Sequence, residues 1–405
     1  MSLKTEIDSI NILCSGTAGF DEMARLKTYK PFSEIILQFF NDLSAGIFRD
    51  VSYREYRDIA SFAFFIRKSN LLKMKAELLT DKHIRLGRGL TFHIAPSNVP
   101  VNFAYSLAAG LLSGNPCIIK VSSKDFPQIR LLCATIAELL KNEQYKELAD
   151  YIAVVQYDNK KEINDYFSSI CQTRLIWGGD QTIAEIRKSP LPPRSFDVTF
   201  ANRYSFCLIN AAAYLDLADK KGLAIDFYND TYAFDQNACF SPRLIYWVGG
   251  TEEANGAKKI FWEHLYNYAR GIYSIDDFVA VEKHMSLNRI ILANQGINVV
   301  KSADNLITRC EAKEISEKIF DSSSSGGFFI EYTAGSLDDL DLISSKKTQT
   351  LSCYGYDIKE LADHIAEHGL YGIDRITEIG KSHEFSLIWD GINLITALTR
   401  VIDRL

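Results

Sequence analysis

The sequence predicts an α/β protein with two mostly parallel sheets, each covered by helices on both faces. Short apolar runs alternate along the chain with segments whose apolar residues recur at helical spacing. These runs are continuously apolar, as parallel strands covered on both faces require. The alternation stops near residue 200 and then starts again, which indicates two α/β domains meeting near residue 205.

The first domain begins with a helical region and continues with strand–helix pairs. Residues 20–80 interleave charged residues with phenylalanines and predict helices. The expected strands are 91–95, 117–121, 152–155 and 175–177, and the helices that follow them are 103–112, 129–140, 161–170 and 181–188. Ligands of such sheets bind beyond the carboxyl ends of the strands, so the loops after these strands are the candidate binding loops.

The second domain repeats the pattern around a cysteine-bearing turn. The sequence predicts a strand at 204–209, a single helix at 214–229, a strand at 243–248 and a helix at 251–269. We therefore divide the chain into residues 1–205, residues 206–380 and a C-terminal segment, 381–405. That last segment is expected either to pack back on the protein or to join subunits.

The composition argues against several classes of protein. The 45 basic and 51 acidic residues give a net charge of −6, so no polybasic surface for nucleic acid is expected. The eight cysteines include no CxxC pair and are expected to be free thiols of a reducing compartment, the cytoplasm. Residues 1–17 lack the apolar core of a secretion signal. Residues 90–119 carry no charge, but prolines and asparagines interrupt them, so no membrane span is expected.

The pattern H-x-x-E-H, typical of one class of zinc proteases, runs from His364 to His368 on a predicted helix. A basic residue at the end of a helix is favoured by the helix dipole, which accounts for His368 without a metal. Too little chain follows to supply a third ligand and a catalytic domain. We therefore expect no metal site there.

Cys239 lies in a turn, residues 235–242, with the sequence DQNACFSP. A nucleophilic cysteine needs access to substrate and surroundings that stabilise the thiolate. The small neighbour Ala238 and the polar neighbours Gln236 and Asn237 fit that need, although most free cysteines are buried apolar residues. The other cysteines fit this second description, so Cys239 is the candidate nucleophile.

Polar groups follow two of the predicted strands in the first domain. Asn98 lies in a turn where its amide can reach an oxyanion, or where it simply forms a turn between prolines. Lys120 ends the next strand, and Ser122, Ser123 and Lys124 follow it. These residues supply the donors and positive charge of a ribose or phosphate site, or they form a solvated strand end.

Gly178 and Gly179 lie between a predicted strand and the helix that follows. A pyrophosphate binds at such a helix N-terminus in nucleotide-binding proteins. The pair does not make the GxGxxG pattern, and a tight turn explains it nearly as well.

Taken together, these motifs resemble the aldehyde dehydrogenase superfamily and, within it, the long-chain acyl-CoA reductases. That branch includes the thioester-reducing component of the bacterial luminescence fatty acid reductase complex. The resemblance is carried by HIAPSNVPVNFAYSLAAGLLSGNPCIIKVSSKDFP at 93–127, DQNACFSPRLIYW at 235–247, QTLSCYG at 349–355 and GIDRITEIGKSHEFSLIWDG at 372–391. It implies an aldehyde-dehydrogenase-like fold, with a Rossmann-type dinucleotide-binding domain and an α/β catalytic domain.

The resemblance also implies roles for the candidate residues. Cys239 corresponds to the acyl-accepting nucleophile, and Asn98 corresponds to the donor that stabilises the oxyanion. Lys120 corresponds to the lysine that contacts the cofactor ribose. The residues expected to bind the cofactor are Ile94, Ala95, Pro96, Lys120, Ser122, Ser123, Gly178, Gly179 and Thr182.

The resemblance further implies NADPH as the cofactor. Ser123 stands near the position of the acid that binds the ribose in NAD-preferring relatives, and Lys124 follows it. Without an acid at that position, and with a cation beside it, a cofactor with a 2′-phosphate is favoured. We therefore expect NADPH to be preferred to NADH.

One departure from the superfamily bears on the reaction. Hydrolytic relatives carry a glutamate that activates water, whereas the corresponding region here, residues 204–210, has no carboxylate. An acyl-enzyme without that base survives to accept hydride or to pass to a thiol. The resemblance therefore implies reduction of a fatty acyl thioester, either acyl-CoA or acyl-protein, to an aldehyde. The sequence does not identify the base that removes the hydroxyl proton of the last intermediate.

Two alternatives stay open at this point. One is an acyl-phosphate reductase of the same fold, and the other is a catalytically silent partner subunit of an acyl-transfer complex. By analogy with the superfamily we also expect a homo-oligomer and a partner protein that transfers acyl groups.

Overall fold

The structure, a computed structural model, describes residues 3–294, 296–300, 302 and 304–403. The chain divides into two compact units, one formed by Met1–Ala201 with Phe385–Leu405 and the other by Asn202–Glu384. The sequence placed the boundaries after residues 205 and 380. The C-terminal segment belongs to the first unit from Phe385 onward, whereas residues 381–384 belong to the second.

The first unit begins with helices and continues with alternating strands and helices. Its strands before the crossing to the second unit are β1 (Asn11–Ser15), β2 (Ile84–Gly87), β3 (Thr91–Ile94), β4 (Cys117–Val121), β5 (Ile152–Gln156), β6 (Thr173–Trp177) and β7 (Phe196–Phe200). Its helices over the same range are α1 (Leu3–Asp8), α2 (Phe20–Met23), α3 (Glu34–Arg49), α4 (Arg57–Phe65), α5 (Lys68–Leu78), α6 (Asn102–Leu112), α7 (Pro127–Leu140), α8 (Lys146–Ala149), α9 (Lys161–Ile170) and α10 (Asp180–Ile186).

The main sheet of this unit has the strand order β1-β5-β4-β3-β6-β7. All neighbours in it are parallel except β1, which runs antiparallel to β5. Every residue of β3, β4 and β6 is buried, in agreement with their mostly apolar sequences. The order of the parallel strands reverses at β3, which is the topology of a Rossmann-type sheet. The predicted fold class is confirmed for this unit.

The second unit is also an α/β structure and is built on its own sheet. Its strands are β8 (Tyr204–Asn210), β9 (Pro242–Val248), β10 (Ile297–Val300), β11 (Thr308–Ala312), β12 (Phe328–Ala334), β13 (Thr348–Tyr354) and β14 (Arg375–Glu378). Its helices are α11 (Ala211–Asp216), α12 (Lys220–Asp230), α13 (Thr251–Ala269), α14 (Asp277–Ala293) and α15 (Ile358–Glu367). The sheet order is β10-β11-β12-β9-β8-β13-β14, and only the β10–β11 pair is antiparallel.

The prediction of a single helix at 214–229 is wrong. The structure has two helices there, α11 and α12, because Asp219 starts a new one. Its side chain accepts a hydrogen bond from the Gly222 backbone N–H at 2.8 Å, which is an N-cap.

The C-terminal segment returns to the first unit. It forms β15 (Ile388–Trp389), β16 (Ile392–Asn393), α16 (Leu394–Ala397) and β17 (Thr399–Ile402). Strand β17 pairs antiparallel with β2, with Thr399 opposite Gly87. In the part of the chain that the structure describes, no helix combines the length and the apolar character that crossing a bilayer needs.

His93 lies in the middle of the first unit and is fully buried. Its Nδ1 lies 2.7 Å from Ser106 Oγ, and its Nε2 lies 2.8 Å from Thr91 Oγ1. Trp177 Nε1 donates to the same Ser106 hydroxyl at 3.0 Å. Burial lowers the pKa of His93 to about 3, so the ring is neutral and links β3 to α6.

We expect acid to destabilise the first unit through His93. The folded pKa is about 3, and the ordinary value is 6.5, so below pH 6.5 only the unfolded chain gains the proton. The free energy of unfolding should therefore fall by about 2 kcal/mol between pH 6.5 and pH 5. Urea unfolding of His93→Gln should show a smaller loss over this range, whereas the exposed control His368→Gln should match the unaltered protein. An equal loss in His93→Gln would contradict this assignment.

Candidate active site

A cavity of about 500 Å³ lies in the first unit at the carboxyl ends of β3, β4, β5 and β6. Parallel strands end at the same edge of the sheet, so four loops from distant parts of the sequence converge there. Every residue that the sequence analysis expects to bind cofactor lines this cavity, and so does Asn98. The structure thus brings these residues together, and their binding role stays a prediction.

Lys120 is the buried cation of this cavity, with 8% of its surface exposed. Its Nζ lies 4.5 Å from the centre of the Tyr157 ring and donates to Asn159 Oδ1 at 3.3 Å. Burial lowers the pKa of Lys120, whereas the nearby Asp158 carboxylate raises it. The ammonium group is held in place by its neighbours, as a contact to a ribose or phosphate requires.

Asp158 also lines the cavity, and it is not among the residues expected from the sequence. Ser123 Oγ donates to Asp158 Oδ1 at 3.3 Å. Asp158 therefore places a carboxylate beside Ser123, at the position where the sequence itself has no acid. Asp125, the nearest acid in the sequence, pairs instead with Arg130. The available signal was a pair of polar residues, Asp158 and Asn159, directly after an apolar strand.

The loop between β6 and α10 approaches its helix closely. A Cβ atom placed on Gly178 would lie 3.1 Å from Thr182 Cγ2, and Gly179 is the N-cap of α10. A side chain at Gly178 would therefore crowd the hydroxyl-bearing Thr182. With one buried ammonium, several hydroxyls and a glycine loop, the donors of this cavity fit a nicotinamide dinucleotide.

Cys239 differs from the other cysteines in its exposure. It is half-buried, whereas the other seven are buried. The turn that carries it begins with Asp235 at φ 50° and Gln236 at φ 56°. Two successive non-glycine residues with left-handed backbone are uncommon and need support from their surroundings.

Gln236 supplies much of that support, and it is fully buried. Its Oε1 accepts hydrogen bonds from the backbone N–H groups of Gly327 and Phe328, both at 3.0 Å. Its Nε2 donates to the carbonyl oxygens of Pro242 at 2.9 Å and Phe328 at 3.0 Å. The side chain therefore joins the turn to the start of β12, and its polar atoms are satisfied.

Ser205 holds the backbone of Cys239 from the opposite direction. Its Oγ donates to the Cys239 carbonyl oxygen at 2.7 Å and accepts from the Thr350 backbone N–H at 3.2 Å. Because Ser205 lies on β8 and Thr350 lies on β13, the turn is tied to two central strands. Neither Ser205 nor Gln236 was singled out as an anchor by the sequence.

Two half-buried arginines, Arg243 and Arg375, influence the thiol. Burial lowers the pKa of Arg243, whereas Tyr204 and Cys239 raise it. Burial likewise lowers the pKa of Arg375, which Glu384, Asp230 and Cys239 raise. The interaction is reciprocal, so positive charge near the sulfur favours its thiolate form.

The sequence predicted no zinc site at the H-x-x-E-H pattern, which lies on the helix that ends near His368. The rings of His364 and His368 lie next to each other at the end of α15, with centroids 4.1 Å apart and planes tilted by 34°. Across residues 3–294, 296–300, 302 and 304–403, no group of three histidines, cysteines or acids is arranged to hold a metal ion.

Solved structures define the fold class to which the chain belongs. A NAD-dependent benzaldehyde dehydrogenase from Corynebacterium glutamicum matches with a TM-score of 0.64 at 13% identity, over 94% of this chain and 87% of that one. A 1-pyrroline-5-carboxylate dehydrogenase from Thermus thermophilus matches with a TM-score of 0.62 at 13% identity, over 94% and 84%. The chain therefore has the aldehyde dehydrogenase fold.

Within that fold, residues 79–401 match the family described as Acyl-CoA reductase (LuxC), and the chain belongs to this family. A long-chain acyl-protein thioester reductase of Vibrio harveyi is 26% identical over 304 residues, which are 74% of this chain and 60% of that protein. A protein of the same description from Aliivibrio fischeri is 21% identical over 325 residues, 78% of this chain and 64% of its own. The chain thus aligns with less than two thirds of the length of these relatives.

We expect Cys239 to be the only cysteine that reacts rapidly in the folded protein, because the other seven thiols are buried. A short pulse of iodoacetamide, followed by intact-mass measurement and peptide mapping, should add one label, and on Cys239. The variant Cys239→Ala should take up none in the same time, whereas Cys14→Ala should still take up one. Rapid labelling of a second cysteine would show that burial does not protect these thiols.

Proposed function

We propose that the protein reduces a fatty acyl thioester to an aldehyde through an acyl group carried on Cys239. The observation that carries the proposal is the exposure of this one cysteine on an anchored turn beside two guanidinium groups. Membership in an acyl-CoA reductase family supports the substrate class. The thioester substrates named for the relatives support the same reaction.

In the proposed acyl transfer, the Cys239 thiolate attacks the thioester carbonyl carbon. A C–S bond forms, and the carbonyl oxygen gains the negative charge. The Asn98 amide and the Cys239 backbone N–H are the donors proposed for that oxyanion. The bond to the original thiol then breaks and the thiolate leaves, which gives an acyl-cysteine.

The reduction completes the proposed reaction. Lys120 and the surrounding hydroxyls would hold a nicotinamide cofactor, which when bound would supply the hydride for the acyl carbon. The hydride leaves the former carbonyl oxygen as an oxyanion, and a proton from water converts it to the hydroxyl of a thiohemiacetal. That hydroxyl then loses its proton to a base, the C–S bond breaks with its electron pair going to Cys239, and aldehyde leaves with Cys239 restored as a thiolate.

The apolar sequence of strand β8 supports reduction of the acyl-cysteine rather than its hydrolysis. The centre of this strand, from Phe206 to Ile209, is fully buried and apolar, so it offers no carboxylate to activate water. An acyl-cysteine without such a base has a longer lifetime in which to accept hydride.

We expect an acyl adduct on Cys239 and loss of turnover in Cys239→Ala. With acyl-CoA alone, mass spectrometry should find the acyl mass on the peptide that contains Cys239. Oxidation of NADPH should then be followed with acyl-CoA substrates of increasing length, with Cys14→Ala as the control that keeps activity. Acyl phosphates and acyl-carrier protein are the competing donors to include. No adduct from any thioester, or full activity in Cys239→Ala, would contradict the proposed function.

The preference for NADPH over NADH is part of the proposal. The exposed Lys124 lines the cavity beside Ser123 and favours a 2′-phosphate. Asp158, hydrogen-bonded to Ser123, opposes it by charge repulsion. The balance between these two side chains is therefore expected to set the preference.

Substitutions of Lys124 and of Asp158 should change the affinity for NADPH in opposite directions. Lys124→Ala should weaken NADPH binding about two- to fivefold with little change for NADH, since an exposed charge pair contributes up to about 1 kcal/mol. Asp158→Asn should strengthen NADPH binding by a similar factor. Dissociation constants from the fluorescence of the reduced nicotinamide would measure both. Unchanged NADPH-to-NADH ratios in the two variants would contradict the assignment of these residues to the 2′ position.

A further inference from the structure

Asp230 is a fully buried carboxylate at the end of α12 that the mechanism above does not use. Its Oδ2 accepts a hydrogen bond from the Gly380 backbone N–H at 2.6 Å, and its Oδ1 accepts one from the Ser382 backbone N–H at 3.0 Å. His383 Nδ1 lies 3.4 Å from the same Oδ1. A buried carboxylate thus holds the loop after β14 and faces an imidazole.

The loop is also held from its other side and cannot easily shift. Gly380 has a φ of +93°, and a Cβ atom there would lie 2.7 Å from Asp226 Cβ on α12. Arg375 donates to the carbonyl oxygens of Ser382 at 3.0 Å and Glu384 at 2.6 Å. The position of the imidazole is therefore set by backbone contacts as well as by Asp230.

The ring of His383 lies near the turn that carries Cys239. Its side chain is 29% exposed. The Phe234 ring lies 6.2 Å from the His383 ring and 5.1 Å from the Phe240 ring, measured between centroids. Phe240 follows Cys239 directly in the chain. Arg375 interacts electrostatically with both Asp230 and Cys239, which places carboxylate, imidazole and thiol in one region of the second unit.

With Nδ1 turned toward the Asp230 carboxylate, the proton of a neutral imidazole lies on Nδ1. Nε2 then carries the lone pair and is the acceptor. A carboxylate behind an imidazole also stabilises the cation that forms when Nε2 takes a proton. This is the arrangement that a general base needs.

We propose that His383, oriented by Asp230, is the base that takes the hydroxyl proton when the thiohemiacetal on Cys239 breaks down. The O–H bond breaks and its proton moves to Nε2, the carbonyl double bond forms, and the C–S bond breaks with its electron pair going to Cys239. The aldehyde leaves, and the imidazolium then loses its proton to water. This inference rests on the proposed function of Cys239.

The decisive experiment separates acyl transfer from aldehyde release in His383→Gln. The Gln side chain keeps a donor for Asp230 but cannot act as a base at neutral pH. Release of CoA thiol in the absence of cofactor should proceed at the unaltered rate, whereas steady-state aldehyde formation should fall about a hundredfold or more. The exposed-histidine control His368→Gln should change neither rate.

Two further readouts exclude a merely structural role. The acid limb in the pH dependence of kcat should disappear in His383→Gln, and added imidazole should restore part of the activity of His383→Ala. The charged groups that face the ring or its carboxylate partner are Asp226, Asp230, Arg375, Lys381 and Glu384.

The outcomes distinguish this inference from the proposed function. If the unaltered protein forms no acyl-cysteine, the function of Cys239 fails. If it does, and His383→Gln makes aldehyde at the unaltered rate, the assignment of His383 fails while the function stands. Loss of acyl transfer in His383→Gln, or no rescue by imidazole together with an unchanged pH profile, would also overturn the assignment.

Discussion

The parallel direction of β3, β4, β5 and β6 is the constraint on which the first unit depends. Parallel neighbours require a helix to cross over between them, so each strand must be covered on both faces and is mostly apolar. The same direction brings four carboxyl ends to one edge. Asn98, Lys120, Asp158 and Gly178 are far apart in the sequence, and this constraint alone makes them neighbours.

The turn that carries Cys239 is held by a balance between backbone strain and hydrogen bonds. Asp235 and Gln236 are held in left-handed backbone, at a cost of about 1 kcal/mol or more each. The four hydrogen bonds of the Gln236 side chain contribute about 1 kcal/mol each, which is enough to offset that cost. The turn can therefore present Cys239 at the surface and still keep a defined shape, since Ser205 holds the Cys239 carbonyl as well.

Two charged side chains that are buried within strands have partners on neighbouring elements, and this pairing was invisible in the sequence. Arg174 interrupts the apolar run of β6 but is 1% exposed, because the register sets it opposite Asp197 on β7. Its Nε lies 2.7 Å from Asp197 Oδ1. Glu331 is likewise buried on β12, where it accepts hydrogen bonds from Trp247 and Trp262. The sequence predicted the apolar positions of the sheets, but it could not assign these partners.

The sequence by itself determined the alternation of strands and helices and the two-unit α/β fold, and it predicted Cys239 as the candidate among eight cysteines. These follow from local patterns, namely hydrophobic periodicity and the polar neighbours of one turn. The sequence did not predict the break between α11 and α12. The break depends on whether Asp219 caps a new helix or continues the first one. Only the tertiary structure decided that Asp158 stands beside Ser123 and that Asp230 faces His383. Those pairs join residues from separate elements, and strand order and loop packing, which no local pattern encodes, set their distances.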